Sequence, residues 1–466
     1  MSREIDSCEN IYSKDIVDFE TAKQYLFTYF LDSEKKLFGR ELGINRTRAW
    51  LESLDNPQEQ VPAIHIAGTS GKGSVAYMVT SLLKGSGSKI GTITSPHVYD
   101  VRERMLVDGG YITEDSFVNR SVALASAVDS FAKTDYGRPT YFELMLGFAH
   151  SQFVDEAVDY SVVETGIGGT YDSTNTINRS DKLAVITRLG LDHTEILGDT
   201  LPKIADQKGG IIPQNGHAII LEPEDIQTKT ILDSIAEDKQ ASITYVNPEQ
   251  SITNIKQTTR GVEFDYKASS RQIKGVRLPL LGMYQAENAC LALETFAYLS
   301  QRDGIMMSND EMKRALLNLK IPARAEISSI DGHPIIIDGA HNLQKLDAFF
   351  DLLDSLELSN KPLIIFASKN DKDWVSFSPR LARSAHKIYA TSFFSQQPGH
   401  LSSKAEDPGK IASKLSQLGG LANSFKNPLE ALNSALADAL PNQAVVITGS
   451  IYMIGELHDQ LVALAD

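Results

Sequence analysis

Apolar residues follow two alternating rhythms along this chain. Short continuous apolar runs read as buried strands, and longer stretches with apolar residues three and four apart read as helices. Residues 1–17 predict a loose tail, and from Asp18 the stretch "DFETAKQYLFTYFLDSE" spaces Phe, Tyr and Leu as a helix does. "VPAIHIA" (61–67) predicts a short buried strand, Gly68 to Gly73 a turn with Lys72 on the loop, and "SVAYMVTSLLKG" (74–85) a helix. "KIGTITS" (89–95), "DYSVVETG" (159–166) and "KLAVITRL" (182–189) predict further strands. "TYFELMLGFAHSQFVDE" (140–156) and "TLPKIADQKGGI" (200–211) predict helices between and after them. Such alternation predicts an α/β fold built on a doubly wound, mostly parallel sheet. Residues 241–279, with "GVEFDY" and "GVRLPL", are more polar and predict an antiparallel edge or flap, after which "GMYQAENACLALETFAYLSQ" (282–301) is again helical.

In "LKIPARAEI" (319–327), Pro322 blocks helix continuation, and a fresh alternation follows. "HPIIIDG" (333–339), "KPLIIFAS" (361–368), "HKIYATS" (386–392) and "AVVITGS" (444–450) predict the strands of a second, smaller, Rossmann-like α/β domain. The expected division is 1–320 and 321–466. A length of 466 residues suits two or three domains, and no internal repeat is evident.

Composition narrows the function. Net charge is -15 with no basic stripe, which argues against nucleic acid or an anionic membrane as partner but leaves room for a small anion at a local positive site. The two cysteines, Cys8 and Cys290, are far apart, which fits a reducing compartment rather than a disulfide scaffold. The polar start "MSREIDSCENIYSKD" lacks a signal-peptide core, and no apolar run approaches the ~18 residues of a membrane helix. A soluble cytoplasmic protein is expected.

"HIAGTSGKGSVA" (65–76) carries the first candidate chemistry. The common phosphate loop has four residues between its first glycine and Gly-Lys. Here only Thr69 and Ser70 separate Gly68 from Gly71-Lys72. A glycine turn at a helix start presents backbone N–H groups to phosphate. Lys72 adds a positive charge, and the Ser74 hydroxyl can face Mg²⁺. The plainer alternative is a tight strand-to-helix turn with a surface lysine. Glu164 ends the next strand, where ligands collect in open α/β sheets; alone it could as well cap a helix. Asp192 and His193 follow a further strand. Ser74, Glu164 and His193 thus fall on one sheet edge. By composition alone, Lys208 in "DQKGGI" (206–211) is an exposed lysine. In the second domain Asp338, His341 and Asn342 of "IIIDGAHN" (335–342) occupy another strand end, which suggests a cleft between the domains.

These motifs together resemble the folylpolyglutamate synthase/dihydrofolate synthase branch of the Mur ligase superfamily. "LESLDNPQEQVPAIHIAGTSGKGSVA" is similar to that branch's approach to its phosphate loop. "TSPHVYDVRERMLVDGGYI" is similar to its folate loop, with Ser95, Pro96, His97, Glu103 and Arg104 in the matching places. "ETGIGGTYDSTN", "LDHTEILGDTLPKIADQKGGI", "YQAENACLAL", "PARAE", "DGAHN" and "GSIYMIGEL" follow in family order, from about Leu51 to Leu457. The resemblance implies an ATP-dependent ligase that joins L-glutamate to a folate or dihydropteroate carboxylate through an acyl phosphate. It makes Gly68, Thr69, Ser70, Gly71, Lys72, Gly73, Ser74, Asn288, Arg324, Asp338 and His341 the ATP contacts. Ser74, Glu164, His193 and a carbamylated Lys208 become ligands of two Mg²⁺ ions, and Lys72, His193 and Lys208 the catalytic set. It implies an ATP-binding domain over 1–320, a glutamate-ligase domain over 321–466 and a monomer. Four positions depart from the family pattern: Ser70 for Asn, Thr170 for Arg, Gln207 for Glu, and Ala323 for Gly. The rival readings are a ligase of the same superfamily acting on a non-folate acid and a nucleotide-dependent switch protein. A dinucleotide dehydrogenase lacks support, because no Gly-x-Gly-x-x-Gly follows the first strand.

Overall fold

The computed structural model describes residues 13–33, 40–258, 260–268, 271–356, 358–370, 372–394 and 404–465. The first sheet holds β1 (Ala63–Ala67), β2 (Ile90–Ile93), β3 (Leu106–Val107), β4 (Tyr160–Glu164), β5 (Leu183–Ile186), β6 (His217–Leu221) and β7 (Ser242–Val246). Their order is β3-β2-β4-β1-β5-β6-β7, parallel throughout except for β2 with β3. Every residue of β1, β2, β4 and β5 is buried, as a parallel sheet covered on both faces requires. One face packs on the helices Lys72–Gly85 and Tyr284–Asp303; the other packs on Glu114–Phe131 and Tyr141–Asp155. The chain leaves β1 towards β2 on one side and later returns to β5 on the other. That reversal opens a crevice at the C-terminal ends of the strands beside β1, the usual ligand position in such sheets.

The polar segment 241–279 divides in two. Strand β7 extends the parallel sheet as its edge, whereas β8 (Ile252–Thr258), β9 (Gly261–Lys267) and β10 (Gln272–Leu278) form a separate antiparallel sheet. The alternation of β9 explains the second part: Val262, Phe264 and Tyr266 turn inward onto the core around the helix Tyr284–Asp303. The expected tail is also partly revised. Residues 1–12, including Cys8, lie outside the described residues, but Ser13–Asp15 form a 3-10 turn and Ile16 is buried in the core with Ala22 and Leu26.

After the linker comes a six-stranded sheet: β11 (Glu326–Ile330), β12 (His333–Asp338), β13 (Leu363–Phe366), β14 (Lys387–Ala390), β15 (Ala422–Ser424) and β16 (Val445–Thr448). The order is β11-β12-β16-β13-β14-β15, with only β11 antiparallel to its neighbour. Separate apolar clusters cover its two faces. Among the described residues no helix is long and apolar enough to cross a membrane.

Candidate active site

Strand β1 runs directly into the glycine loop. Contrary to the sequence expectation, Lys72 is not on the loop: it is the first residue of the helix Lys72–Gly85, with Gly71 as its cap at φ 88°. The loop is braced from the chain that follows β5. Thr69 N and Ser70 N donate to Arg188 O at 3.0 and 3.3 Å. The Thr187 hydroxyl donates to Ser70 O at 2.7 Å, and the Thr69 hydroxyl to Gly190 O at 2.9 Å. The amides of Thr69 and Ser70 are therefore occupied. The N–H groups left for an anion are those of the first helical turn, Lys72 to Ser74, which have no partner within a helix.

Gly71 packs on the side chain of Asn288, which the helix Tyr284–Asp303 brings to the loop. A Cβ at Gly71 would overlap Asn288 Oδ1, at a φ that L side chains rarely adopt. At ATP near 100 times its Kd, bound ATP stabilises a protein by ~2.7 kcal/mol. Gly71→Ala is expected to lose that ATP-dependent rise in melting temperature; a full rise in a folded variant would contradict the placement of phosphate at this turn.

Lys72 and Lys208 meet on one atom. Lys72 Nζ donates to Gly68 O at 3.2 Å, and Lys208 Nζ donates to the same carbonyl at 2.7 Å. Lys208 is only 3% exposed, so the exposed lysine expected from composition is overturned. The cause is a clamp on the end of its helix, Leu201–Gly209. Thr170 directs both its backbone N and its hydroxyl to Gln207 O, at 2.7 and 3.1 Å. Gly169 passes so close to the Gln207–Lys208 backbone that a Cβ would not fit. Burial, reinforced by the Lys72 charge, pushes the Lys208 amine down to about 7, against the opposing pull of Asp192 and Asp172.

The acidic side is supplied by Glu164 at the end of β4. It is buried, lies against Gly73, and accepts from Ser95 N at 3.1 Å through Oε2. Burial raises its pKa, while Lys72 and the Ser95 N–H favour the carboxylate. Ser74, the residue after Gly73, is buried in the first helical turn. His193 caps the short helix Thr194–Leu197 from a left-handed conformation, with Nε2 3.8 Å from Asp192 Oδ2. Partial burial lowers its pKa, Asp192 opposes, and Lys72, Lys345 and Lys208 lower it further. Glu164 and Ser74 are hard oxygen donors that fit Mg²⁺, whereas imidazole is a poorer partner. Among the described residues no three His, Cys, Asp or Glu side chains gather as a metal cage. A Mg²⁺ here would need phosphate oxygens or water as well, as Mg²⁺ sites on phosphate substrates do.

The second sheet contributes Asp338 at the end of β12. Its buried carboxylate accepts from Ala325 N and Ala340 N, both at 2.8 Å. Those bonds hold the linker, where Ala323 and Ala325 flank Arg324 at φ 48° each, a left-handed conformation costing about 1–2 kcal/mol per residue outside glycine. Arg324 itself is exposed, and its charge acts on Asp338 and Glu164. His341 Nδ1 is 2.7 Å from Gly339 O, which places its proton there, and burial pushes the imidazole down to about 3. Asp338→Ala is therefore expected to act twice. Each orphaned buried amide costs on the order of 1–3 kcal/mol, visible in denaturant unfolding, and release of Arg324 raises the ATP KM. Unchanged stability and unchanged KM together would refute this role.

The five positions expected of a folate loop separate by task. Glu103 is buried and accepts from Val98 N, Tyr99 N and Asp100 N at 2.7, 2.8 and 3.0 Å, so it shapes the loop from inside. His97 Nδ1 accepts from Arg104 Nε at 2.7 Å, and that guanidinium lies 5.3 Å over the Tyr141 ring. Ser95 serves Glu164, and Pro96 is exposed. The same loop reaches the second sheet: Tyr99 donates to Glu326 at 2.7 Å and stacks on His458 at 4.0 Å.

Lys72 thus bears on Glu164, His193 and Lys208 from within the first sheet, while from the second Lys345 bears on Glu164 and His193 and Arg324 on Glu164. Sequence reasoning missed Thr187 and Arg188, which carry no motif of their own, and Lys345. The signal for Lys345 was a basic residue in a first helical turn, where acids are favoured.

Residues 66–296 match the family model of the Mur ligase middle domain, and residues 323–451 that of the Mur ligase glutamate ligase domain. The chain is 28% identical over 445 residues to the dihydrofolate synthase/folylpolyglutamate synthase of Bacillus subtilis, covering 94% of this chain and 100% of that one. It is 29% identical over 414 residues to the folylpolyglutamate synthase of Lacticaseibacillus casei, covering 88% and 92%. The structure of Mycobacterium tuberculosis folylpolyglutamate synthase complexed with ADP is similar at 26% identity and TM-score 0.78, covering 93% of this chain and 98% of that one.

Proposed function

The chain belongs to the Mur ligase family, in its folylpolyglutamate synthase/dihydrofolate synthase branch, and on that premise we propose that the crevice of the first sheet is where an ATP-dependent ligase adds L-glutamate to a folate or dihydropteroate carboxylate. The observation that carries this reading is that Lys72 acts on Glu164, His193 and Lys208 while Arg324 from the other sheet acts on both Glu164 and Asp338.

In the first step an oxygen of the acceptor carboxylate attacks the γ-phosphorus of ATP, the bond to the bridging oxygen breaks, and ADP leaves. In the second, the glutamate nitrogen attacks the acyl carbon of that acyl phosphate, phosphate leaves, and the nitrogen loses a proton. No protein nucleophile is needed. Lys72 and the amides of Lys72 to Ser74 hold the β/γ-phosphates; Asn288, Arg324, Asp338 and His341 form the nucleotide's remaining surroundings. Ser74, Glu164 and His193 would hold Mg²⁺, which supplies charge neutralisation to the transferring phosphoryl group. A carbamate on Lys208 would add two oxygens for a second ion; burial and the neighbouring Lys72 charge support it by favouring the neutral amine. Arg104, oriented by the buried His97, is the cation offered to the acceptor.

The division into an ATP-binding part, 1–320, and a glutamate-ligase part, 321–466, belongs to the same reading, as do a monomeric enzyme and a cytoplasmic location. The change of sheet between β10 and β11 supports the division. The test is mass spectrometry of products after incubation with ATP, Mg²⁺, L-glutamate and either dihydropteroate or tetrahydrofolate. A glutamyl product with either acceptor is expected. ATP hydrolysis unaffected by acceptor and glutamate would leave a nucleotide-binding switch instead.

A further inference from the structure

Lys345 stands in the first turn of the helix Leu343–Ser355, its backbone N capped by Asn342 Oδ1 at 2.9 Å. A cation there opposes the helix dipole, and that turn holds no acidic residue. Among the described residues the Lys345 ammonium makes no ion pair or side-chain hydrogen bond, although Asp192 and Asp338 are near enough to act on it. The turn abuts the other domain: the Gln344 amide lies 3.5 Å from where a Cβ of Gly190 would stand, two residues before Asp192. Lys72 acts on Lys345, and Lys345 acts in turn on Glu164 and His193. Among the described residues neither of these two lysines, one from each sheet, forms an ion pair, and the charge of one acts on the other. Burial and the charges of Arg324 and Lys72 bring the Lys345 amine down to about 8, a penalty that an anion between them would reverse.

We propose that Lys345 is a second catalytic cation, which contacts the phosphoryl group in transfer together with Lys72 and makes acyl phosphate formation depend on the second domain. The proposal rests on the ligase reading above. It assigns Lys345 to phosphate rather than to the incoming amino acid, because the groups it influences are the phosphate-loop lysine and the Mg²⁺-side residues.

The test uses the full chain with Lys345→Met, which keeps the stem and removes the charge, and Lys345→Arg, which keeps the charge. Formation of acyl phosphate without glutamate is read as scrambling of ¹⁸O from the β,γ-bridge of labelled ATP into the β non-bridging position, with acceptor acid present. Wild type is expected to scramble and, with glutamate, to ligate. Lys345→Met should melt like wild type, lose scrambling and drop in kcat by about 100-fold, the usual scale for one transition-state charge donor. Its KM for L-glutamate should stay within about threefold, since ground-state amino-acid binding is untouched. Lys345→Arg should recover scrambling. Two results would overturn the proposal: a Met variant with kcat within about threefold of wild type, or one that scrambles normally while its glutamate KM rises. If wild type forms no glutamyl product at all, the ligase reading fails, and this proposal with it.

Discussion

Lys72→Ala is expected to abolish ligation and leave the fold in place. The side chain is half-buried at the first position of its helix and makes one hydrogen bond, to Gly68 O at 3.2 Å. Its truncation opens no core cavity, because the apolar contacts of the helix come from Val75, Ala76, Met78 and Val79 further along. Melting without ATP should therefore match wild type. The chemistry loses more. On the proposed reading Lys72 supplies charge where the γ-phosphoryl group passes between oxygens, and removing one such donor costs at least about 10²–10³ in kcat. ATP should also cease to stabilise the protein. Near-normal turnover by folded Lys72→Ala would sink the phosphate-loop assignment.

Lys208→Ala is expected to bind ATP yet ligate poorly. Two ammonium groups cannot comfortably share Gly68 O in a buried place, and the Lys208 amine has shifted to about 7. Near pH 7 roughly half of it is neutral, against well under one part in a thousand for a lysine at its ordinary 10.4. A neutral amine can attack CO₂: a nitrogen–carbon bond forms, a proton leaves the nitrogen, and an anion with two oxygens results. That anion suits Mg²⁺, which an ammonium does not. Four results are expected. Lys208→Arg fails, because it keeps the positive charge. Formate or acetate partly restores Lys208→Ala by occupying the place of the carbamate. Activity falls as pH drops through about 7, where the free amine takes up its proton and leaves the CO₂ reaction. A carbamate carbon signal appears in NMR of wild type prepared with ¹³C-bicarbonate and vanishes in Lys208→Ala. Full activity of Lys208→Arg would refute the assignment.

Strand and helix alternation was legible because burial on both faces of a parallel sheet writes continuous apolar runs into β1, β4, β5, β12 and β16. The site was legible wherever its parts follow a strand directly. Gly68 to Ser74, Glu164, His193 and Asp338 each stand at a strand end or in the segment that follows one, so a local pattern marks them. The helix start at Lys72 was misjudged because two adjacent glycines flank the lysine, and glycine reads as turn; Gly71 in fact serves as the cap. The flap was misjudged at β7, whose polar alternation is that of an edge strand and cannot by itself choose between a parallel and an antiparallel partner.

Periodicity, turn chemistry and motif order are short-range properties, and these the sequence by itself determined: an α/β chain in two parts, with a glycine turn of phosphate-loop form and acidic strand ends. The tertiary structure alone decided what those groups are electrically. Lys208 is a surface cation by composition and a buried, half-neutral amine in the fold. The difference comes from Thr170 clamping its helix and from a carbonyl 140 residues away. Glu103 reads as a substrate contact and becomes the inner brace of its own loop. Lys345 carries no motif and comes under the influence of Lys72 only because the turn before it meets Gly190, beyond the end of β5, the neighbour of β1. A charge depends on desolvation and on neighbours a few ångströms off, and those neighbours are set by chain crossings that local pattern does not encode.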